Sequence, residues 1–166
     1  MKNQYKINEF GEIVSEDYFF SQVKGTGVQI LPFQRKVWKM IILNIITIGI
    51  YGIVIGFAMV KETNITCSED GKHTRGFWPV MGLAIVTLGI YVIIWYVQWL
   101  NREAAFLKSK NIDGSFSGGL YFLLVLLSLI PYAGFIIQFI ILTCIVNQHN
   151  AVNAKYNETN NFIQKV

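Results

Sequence analysis

Three long apolar stretches interrupt an otherwise polar chain. Residues 40–60 and 77–101 contain no Asp, Glu, Lys, Arg or His, and residues 114–154 contain only His149. None of the three alternates apolar and polar residues as the roughly ten-residue strands of a membrane barrel do. An unpaired backbone polar group in lipid costs several kcal/mol, so apolar runs of this length predict helices. A spanning helix needs about 20 residues. The pattern therefore predicts crossings at 38–60 and 78–100, each opening with a tryptophan, Trp38 and Trp78, a residue type enriched at the membrane–water boundary.

The third stretch reads two ways. Its apolar part, 118–146, would run roughly 43 Å as one helix at 1.5 Å per residue, against about 30 Å of hydrocarbon. One long tilted helix kinked at Pro131 competes with a hairpin of two short helices at 118–131 and 134–150. "IPYAG" (130–134) has turn chemistry, with Pro to fix φ and Gly to accept positive φ.

Charge placement bears on the same choice. With four crossings and a cytoplasmic N-terminus, 11 of the 14 basic residues fall inside, leaving Lys61, Lys72 and Arg75 outside. With three crossings the split weakens, and the positive-inside rule prefers four. The expected fold class is thus all-α, a polytopic bundle of four spans (three as the alternative), with a small N-terminal β-hairpin outside the membrane. The expected domains are a cytoplasmic segment 1–37, a membrane domain 38–157 and a cytoplasmic tail 158–166. The expected location is a plasma membrane, multi-pass, with both termini cytoplasmic.

Composition agrees with this picture. Hydrophobic residues make up 53% of the 166 and charged residues only 14%, against about 25% in a typical soluble domain. The first 37 residues lack the basic start and early apolar core of a cleavable signal peptide, so the first apolar run is expected to act as an uncleaved anchor. "YKINEFGEIV" alternates around a glycine and predicts the hairpin.

One phrase is stated twice. "TIGIYG" occupies 47–52 and "TLGIYV" 87–92, and at an offset of 40 Trp38 also falls on Trp78. With one crossing per copy, the copies would form an inverted pair. On continuous helices Asn44, Thr47 and Tyr51 share a face, as do Thr87, Tyr91 and Gln98. Gly49 and Gly89 would admit a partner helix, and Gly52 and Gly56 form a small-xxx-small pair. These residues are expected to make a packing stripe. The alternative is a transport site or pore between inverted copies, although apart from Lys39 at the boundary of the first the spans lack the charged residues that such sites usually use.

"VWKMIILNIITIGIYG", "FWPVMGLAIVTLGIYVIIWYVQWLNRE" and the late "NQHNAVNAKYNE" resemble a bacterial membrane family known as domain of unknown function 4234, over roughly residues 36–157. The resemblance implies a bacterial membrane protein and no activity, cofactor or catalytic residue.

Candidate chemistry is sparse. "KETNITCSEDGKHTRGF" brings Cys67, Glu69, Asp70 and His73 into one loop, but their spacing matches no standard metal site. It reads as a solvated turn, and Cys144 lies too deep in the last apolar run to pair with Cys67. No nucleophile elbow, HExxH or phosphate loop occurs, and Gly25 and Gly27 are lone turn glycines. The basic residues flank the spans, as topology alone requires, so no nucleic-acid partner is expected. The reading is a non-enzymatic interaction or accessory membrane subunit without cofactor. Its expected partners are the lipid bilayer and, through the glycine faces, a second copy or another membrane protein.

Overall fold

A computed structural model describes residues 5–7, 13–15, 30–113 and 115–160. Among the described residues there are six α-helices: α1 (Val37–Ile46), α2 (Ile50–Thr66), α3 (Phe77–Val86), α4 (Ile90–Ser109), α5 (Gly118–Leu127) and α6 (Ala133–Thr159). They pair in sequence as three helical hairpins, α1–α2, α3–α4 and α5–α6. Each hairpin has a short first arm of 10 residues and a longer second arm.

The four-span bundle does not form. The runs expected to cross at 38–60 and 78–100 are each cut in two at the repeated phrase, by residues 47–49 and 87–89. Among the described residues only α6 is long and apolar enough to cross a membrane. A second finding removes the assumed sides. Asp70, expected outside, pairs with Arg102, expected inside, at 2.6 Å, and Lys110 lies 3.7 Å from Glu69. Groups separated by a bilayer cannot touch. The expected N-terminal β-hairpin is reduced to a short strand pair. Three residues per strand, Tyr5–Ile7 and Ile13–Ser15, pair antiparallel, and a two-stranded pair alone is marginal in water. Its turn lies outside the described residues.

The repeated phrase is a turn in which each residue has a task. α1 ends in a Schellman cap: Ile48 N–H donates to the Ile45 carbonyl (3.2 Å) and Gly49 N–H to that of Asn44 (2.8 Å). Leu88 and Gly89 repeat this on Ile85 and Ala84 at 3.3 and 2.7 Å. The chain reverses through two consecutive left-handed residues, Ile48 (φ 52°) and Gly49 (φ 88°), matched by Leu88 (50°) and Gly89 (87°). Glycine is required for its φ, not for a close approach of helices. A Cβ at Gly49 or Gly89 would meet nothing within 4 Å.

Close approach occurs elsewhere. At the start of α5, a Cβ on Gly118 would run into the backbone of Val97 on α4, and Gly118 N–H donates to Asn101 Oδ1 at 2.8 Å. The third turn, at "IPYAG", is of another kind. Its positive φ falls on Tyr132 (66°), and Gly134 is needed because a Cβ there would strike the Ser128 carbonyl.

The core lies between the long arms. Trp95, Trp99 and Leu100 of α4 pack with Ile55, Met59 and Val60 of α2, Tyr121 of α5, and Ile141, Ile145 and Val146 of α6. An aromatic chain links the hairpins, from Phe57 to Trp95 (5.3 Å), to Trp99 (5.7 Å), and by Tyr96 to Tyr121 (5.3 Å). Cys67 is buried, Cys144 half-buried, and both are free thiols.

Candidate functional site: three apolar tips and a buried ion cluster

Every large hydrophobic residue exposed among the described residues lies within 38–54, 78–94 or 120–140, windows that surround the three hairpin turns. Ile48 is 92% exposed, Leu88 94% and Tyr132 99%. Side chains of L-residues in the left-handed region cost about 1–2 kcal/mol, and a β-branched one there is a genuine outlier. Thus Ile48 occupies a strained position while its apolar side chain points away from the protein.

The polar atoms of these turns are closed off locally. The Thr47 hydroxyl donates to the Leu43 carbonyl (2.8 Å) and accepts from Tyr51 N–H (2.9 Å). Thr87 does the same with Leu83 (2.7 Å) and Tyr91 (3.0 Å). Asn44 Oδ1 accepts from Gly52 N–H at 2.9 Å. With the backbone bonds, each N–H from Thr47 to Ile53 has an acceptor, and so does each from Thr87 to Val92. Of the other stripe residues, Tyr91 takes a bond from Arg75 (3.0 Å) and Gln98 is exposed. The stripe is therefore used inside each hairpin, with Asn44, Thr47 and Gly49 building one turn and Thr87 and Gly89 the other.

At the opposite end of the hairpins the arrangement inverts. Arg35, just before α1, forks onto Glu62 of α2, with Nη1 2.9 Å from Oε2 and Nη2 2.6 Å from Oε1. His149 of α6 sits between two carboxylates, its Nε2 2.9 Å from Glu62 and its Nδ1 2.6 Å from Glu103 of α4. The same Glu103 oxygen accepts from the Thr63 hydroxyl (2.7 Å) and the Trp99 indole (2.9 Å). All of these side chains are buried. Burial alone would raise the Glu62 carboxyl, but the Arg35 and His149 cations outweigh it and hold it at about 2. Burial likewise works against a charged His149. Glu103 and then Glu62 outweigh it, and the ring is held above its ordinary value. Two cations and two anions thus neutralise one another, which suits a clamp between hairpins.

Two further devices seal this base. Asn150, Asn153 and Asn157, on one face of α6, grip the extended segment 30–36. Asn150 and Asn157 each pair with both the N–H and the carbonyl of one residue, Arg35 and Leu31 respectively, at 2.7–3.1 Å. Asn153 donates to the Pro32 carbonyl at 2.7 Å. Arg102 pins the 67–74 loop through Asp70, Thr74 and the carbonyls of Cys67 and Lys72. That loop was expected to be a solvated turn. His73 is exposed, but Cys67 is buried, and burial pushes its thiol up to about 11. Among the described residues no group of three or more His, Cys, Asp or Glu is placed to hold a metal ion.

Domain of unknown function (DUF4234) matches residues 35–77 and again 75–152. The chain belongs to the DUF4234 family. The boundary between the two matches falls between the first and second hairpins, and the second match extends into α6 beyond the cluster histidine. No curated protein and no solved structure matches the chain.

The sequence reading missed Arg35, Glu62, Glu103 and His149 because it put Glu62 and His149 on sides that a bilayer would separate. The available signal was the position of the phrase. Thr-x-Gly falls near the middle of each of the first two apolar runs, with about ten residues on either side, where a hairpin turns.

Proposed function

We propose that this protein is a non-enzymatic membrane anchoring or accessory module whose three hairpins enter one leaflet from a single side, with the ion-clamped base at that surface. The observation that carries this reading is the confinement of exposed apolar residues to the three turn windows, together with exposed Ile48 and Leu88 in the left-handed region. Exposed apolar residues concentrated in this way mark a membrane or partner contact. Length supports the same depth. A 10-residue arm rises about 15 Å, half of a 30 Å hydrocarbon core. The closed hydrogen bonding of the turns meets the chief demand of lipid on backbone. Trp38 and Trp78 open the first two short arms, at the level where the base would meet the headgroups.

Single cysteines test this in a background without Cys67 and Cys144. Positions 72 and 108, which a two-crossing arrangement would put on opposite faces, should react with an impermeant maleimide from the same face of oriented vesicles. Positions 48 and 88 should be protected from both faces. Labelling of 72 and 108 from opposite faces would sink the proposal.

A further inference from the structure

The two copies of the repeated unit differ in charge. At an offset of 40, Arg75 stands where Arg35 does, and Arg102 where Glu62 does. Arg35 is drawn inward onto Glu62. Arg75 has no such carboxylate to meet, because Glu62 is replaced by an arginine in its copy, and Arg102 turns onto the 67–74 loop through Asp70. Arg75 stays exposed just before α3. It is nevertheless held in place. Trp95 Nε1 donates to its carbonyl at 2.9 Å, its Nη1 donates to the Tyr91 hydroxyl at 3.0 Å, and its guanidinium lies 5.9 Å from the centre of the Tyr91 ring.

Two lysines share the height of Arg75. Arg75 lies 12 residues before Thr87, Lys36 lies 11 before Thr47 and Lys61 lies 12 after Gly49, so at 1.5 Å per residue each is roughly 17 Å from its own turn. Half of a hydrocarbon core is about 15 Å. Lys36 and Lys61 are exposed, and no carboxylate among the described residues pairs with either. The acids at that height face the other way. Glu62 and Glu103, 13 and 14 residues after Gly49 and Gly89, are buried in the ion cluster. The outer surface there thus carries cations without anions, with the exposed Trp38 and Trp78 two and three residues on from Lys36 and Arg75.

We infer that this collar of Lys36, Lys61 and Arg75 docks on anionic phospholipid headgroups, so that the protein prefers a bilayer with net negative lipid to a zwitterionic one. The inference rests on leaflet entry, which puts the collar at the headgroups. A basic residue near an anionic bilayer surface gains about 1 kcal/mol. Arg75 adds geometry to charge, because a guanidinium gives parallel N–H groups to phosphate oxygens and this one is already held by Tyr91. A choline head covers its phosphate with a cation of its own and offers the collar no net attraction. Lys108 provides the contrast. It is exposed too, but lies 19 residues after Gly89, roughly 28 Å along its arm. That is farther beyond the collar than the Debye length of about 8 Å at physiological salt.

The test floats the full chain from dilute detergent with vesicles of phosphatidylcholine alone or of an equal mixture with phosphatidylglycerol. The mixed vesicles should take up more of the chain, and high salt should erase the difference. Lys36→Gln, Lys61→Gln and Arg75→Gln should each lower uptake by the mixed vesicles about fivefold, the ratio that about 1 kcal/mol gives. None should change uptake by phosphatidylcholine, and Lys108→Gln should change neither. Arg75→Lys, which keeps the charge, should keep most of the preference. Unfolding midpoints in detergent should match the unsubstituted chain, since every substituted side chain is exposed. Equal uptake by both vesicle types, or a loss with Lys108→Gln as large as with the other three, would overturn the collar and leave leaflet entry standing. Uptake by neither would overturn both.

Discussion

The hairpin turns and the hairpin bases solve opposite problems with the same chain. At the turns, Ile48, Leu88 and Tyr132 face outward and the polar backbone is closed on itself. At the base, Arg35, Glu62, Glu103 and His149 are drawn inward and close on one another. Water rewards neither choice, since it penalises exposed apolar surface and solvates charge at no cost in packing. The turns make sense against lipid, where any open N–H is expensive. The base makes sense as the joint that ties the three hairpins together through Glu62, Glu103 and His149. Each hairpin alone is a pair of short helices. The cluster ties residues up to 87 positions apart.

The comparison breaks most sharply at the cluster. Glu62→Ala leaves Arg35 and His149 facing each other without an anion between them, and removing one partner of a buried ion pair costs about 3–5 kcal/mol. Denaturant unfolding in detergent should register that loss. Glu103→Gln should cost less. Its Oε1 takes every contact and its buried Oε2 has no hydrogen-bond partner, so an amide can keep the first and put its NH₂ at the second. If Glu103→Gln proves the more damaging of the two, the reading of Glu62 as the centre of the joint is wrong.

The cluster also fixes a pH window. The folded value of Glu62 is depressed to about 2, so its contribution is whole above the ordinary carboxyl value of 4.5 and disappears as pH falls through about 2. His149 is raised, so its contribution is whole below the ordinary value of 6.5 and disappears as pH rises through its folded value. Stability from the cluster should therefore peak between about pH 4.5 and 6.5. Melting temperatures across pH check this, and His149→Gln should remove the alkaline decline.

At the other end of the comparison, Ile48→Asp and Leu88→Asp should leave the base folded but weaken membrane association. Translocon-based scales put Asp in the bilayer centre at about 2.5–3.5 kcal/mol. Flotation with liposomes reads the partition, and an unchanged unfolding midpoint in detergent separates it from misfolding. Partition equal to that of the unsubstituted chain would mean that the tips do not meet lipid.

A smaller effect separates the two left-handed residues. Gly49→Ala has ample space and should still destabilise the turn by about 1–2 kcal/mol, because its φ is positive. Ile48→Gly should do the reverse in detergent, relieving strain, while weakening liposome binding through the lost side chain. Unfolding midpoints and flotation of the same pair of variants provide both readings. A stabilised Gly49→Ala would show that conformation is not what glycine supplies there.

The pattern of apolar runs made the helices and the repeated unit legible, and "IPYAG" marked the third turn. Crossing and hairpin were not distinguishable, because the apolar runs of 40–60 and 77–101 are as long as one span or as two short arms. What decides between them is whether Thr-Ile-Gly continues a helix. Ile48 argues locally that it does, since a β-branched residue is an unfavourable choice for a left-handed turn. Only tertiary structure shows the propensity overruled. The charge split compounded the error, since counting basic residues on two sides presupposes two sides. The ion cluster stayed hidden for the same reason. Its four members come from four separate segments, and no local spacing links Glu62 to His149.

The finest distinction lies between the two copies of the turn. In the first, Asn44 Oδ1 accepts from Gly52 N–H, and a Cβ at position 52 would collide with that amide. In the second, Ala84 stands where Asn44 does, and Val92 N–H donates instead to the Gly89 carbonyl at 3.0 Å. Both solutions leave no donor open, so the asparagine is a refinement of a turn that Thr47 and Gly49 already build. Asn44→Ala should therefore convert the first turn to the geometry of the second and cost little, about 0.6 kcal/mol, the average for a membrane-buried side-chain hydrogen bond. Thr47→Val should cost more, because the hydroxyl serves two backbone groups, the Leu43 carbonyl and the Tyr51 N–H, and the second copy uses Thr87 in the same way. Hydrogen exchange at Tyr51 and Gly52 in detergent resolves the two. Asn44→Ala should speed exchange at Gly52 alone, and Thr47→Val at Tyr51. If Asn44→Ala instead opens both amides, the turn rests on the asparagine, and the second copy must be closed by something other than its own threonine and glycine.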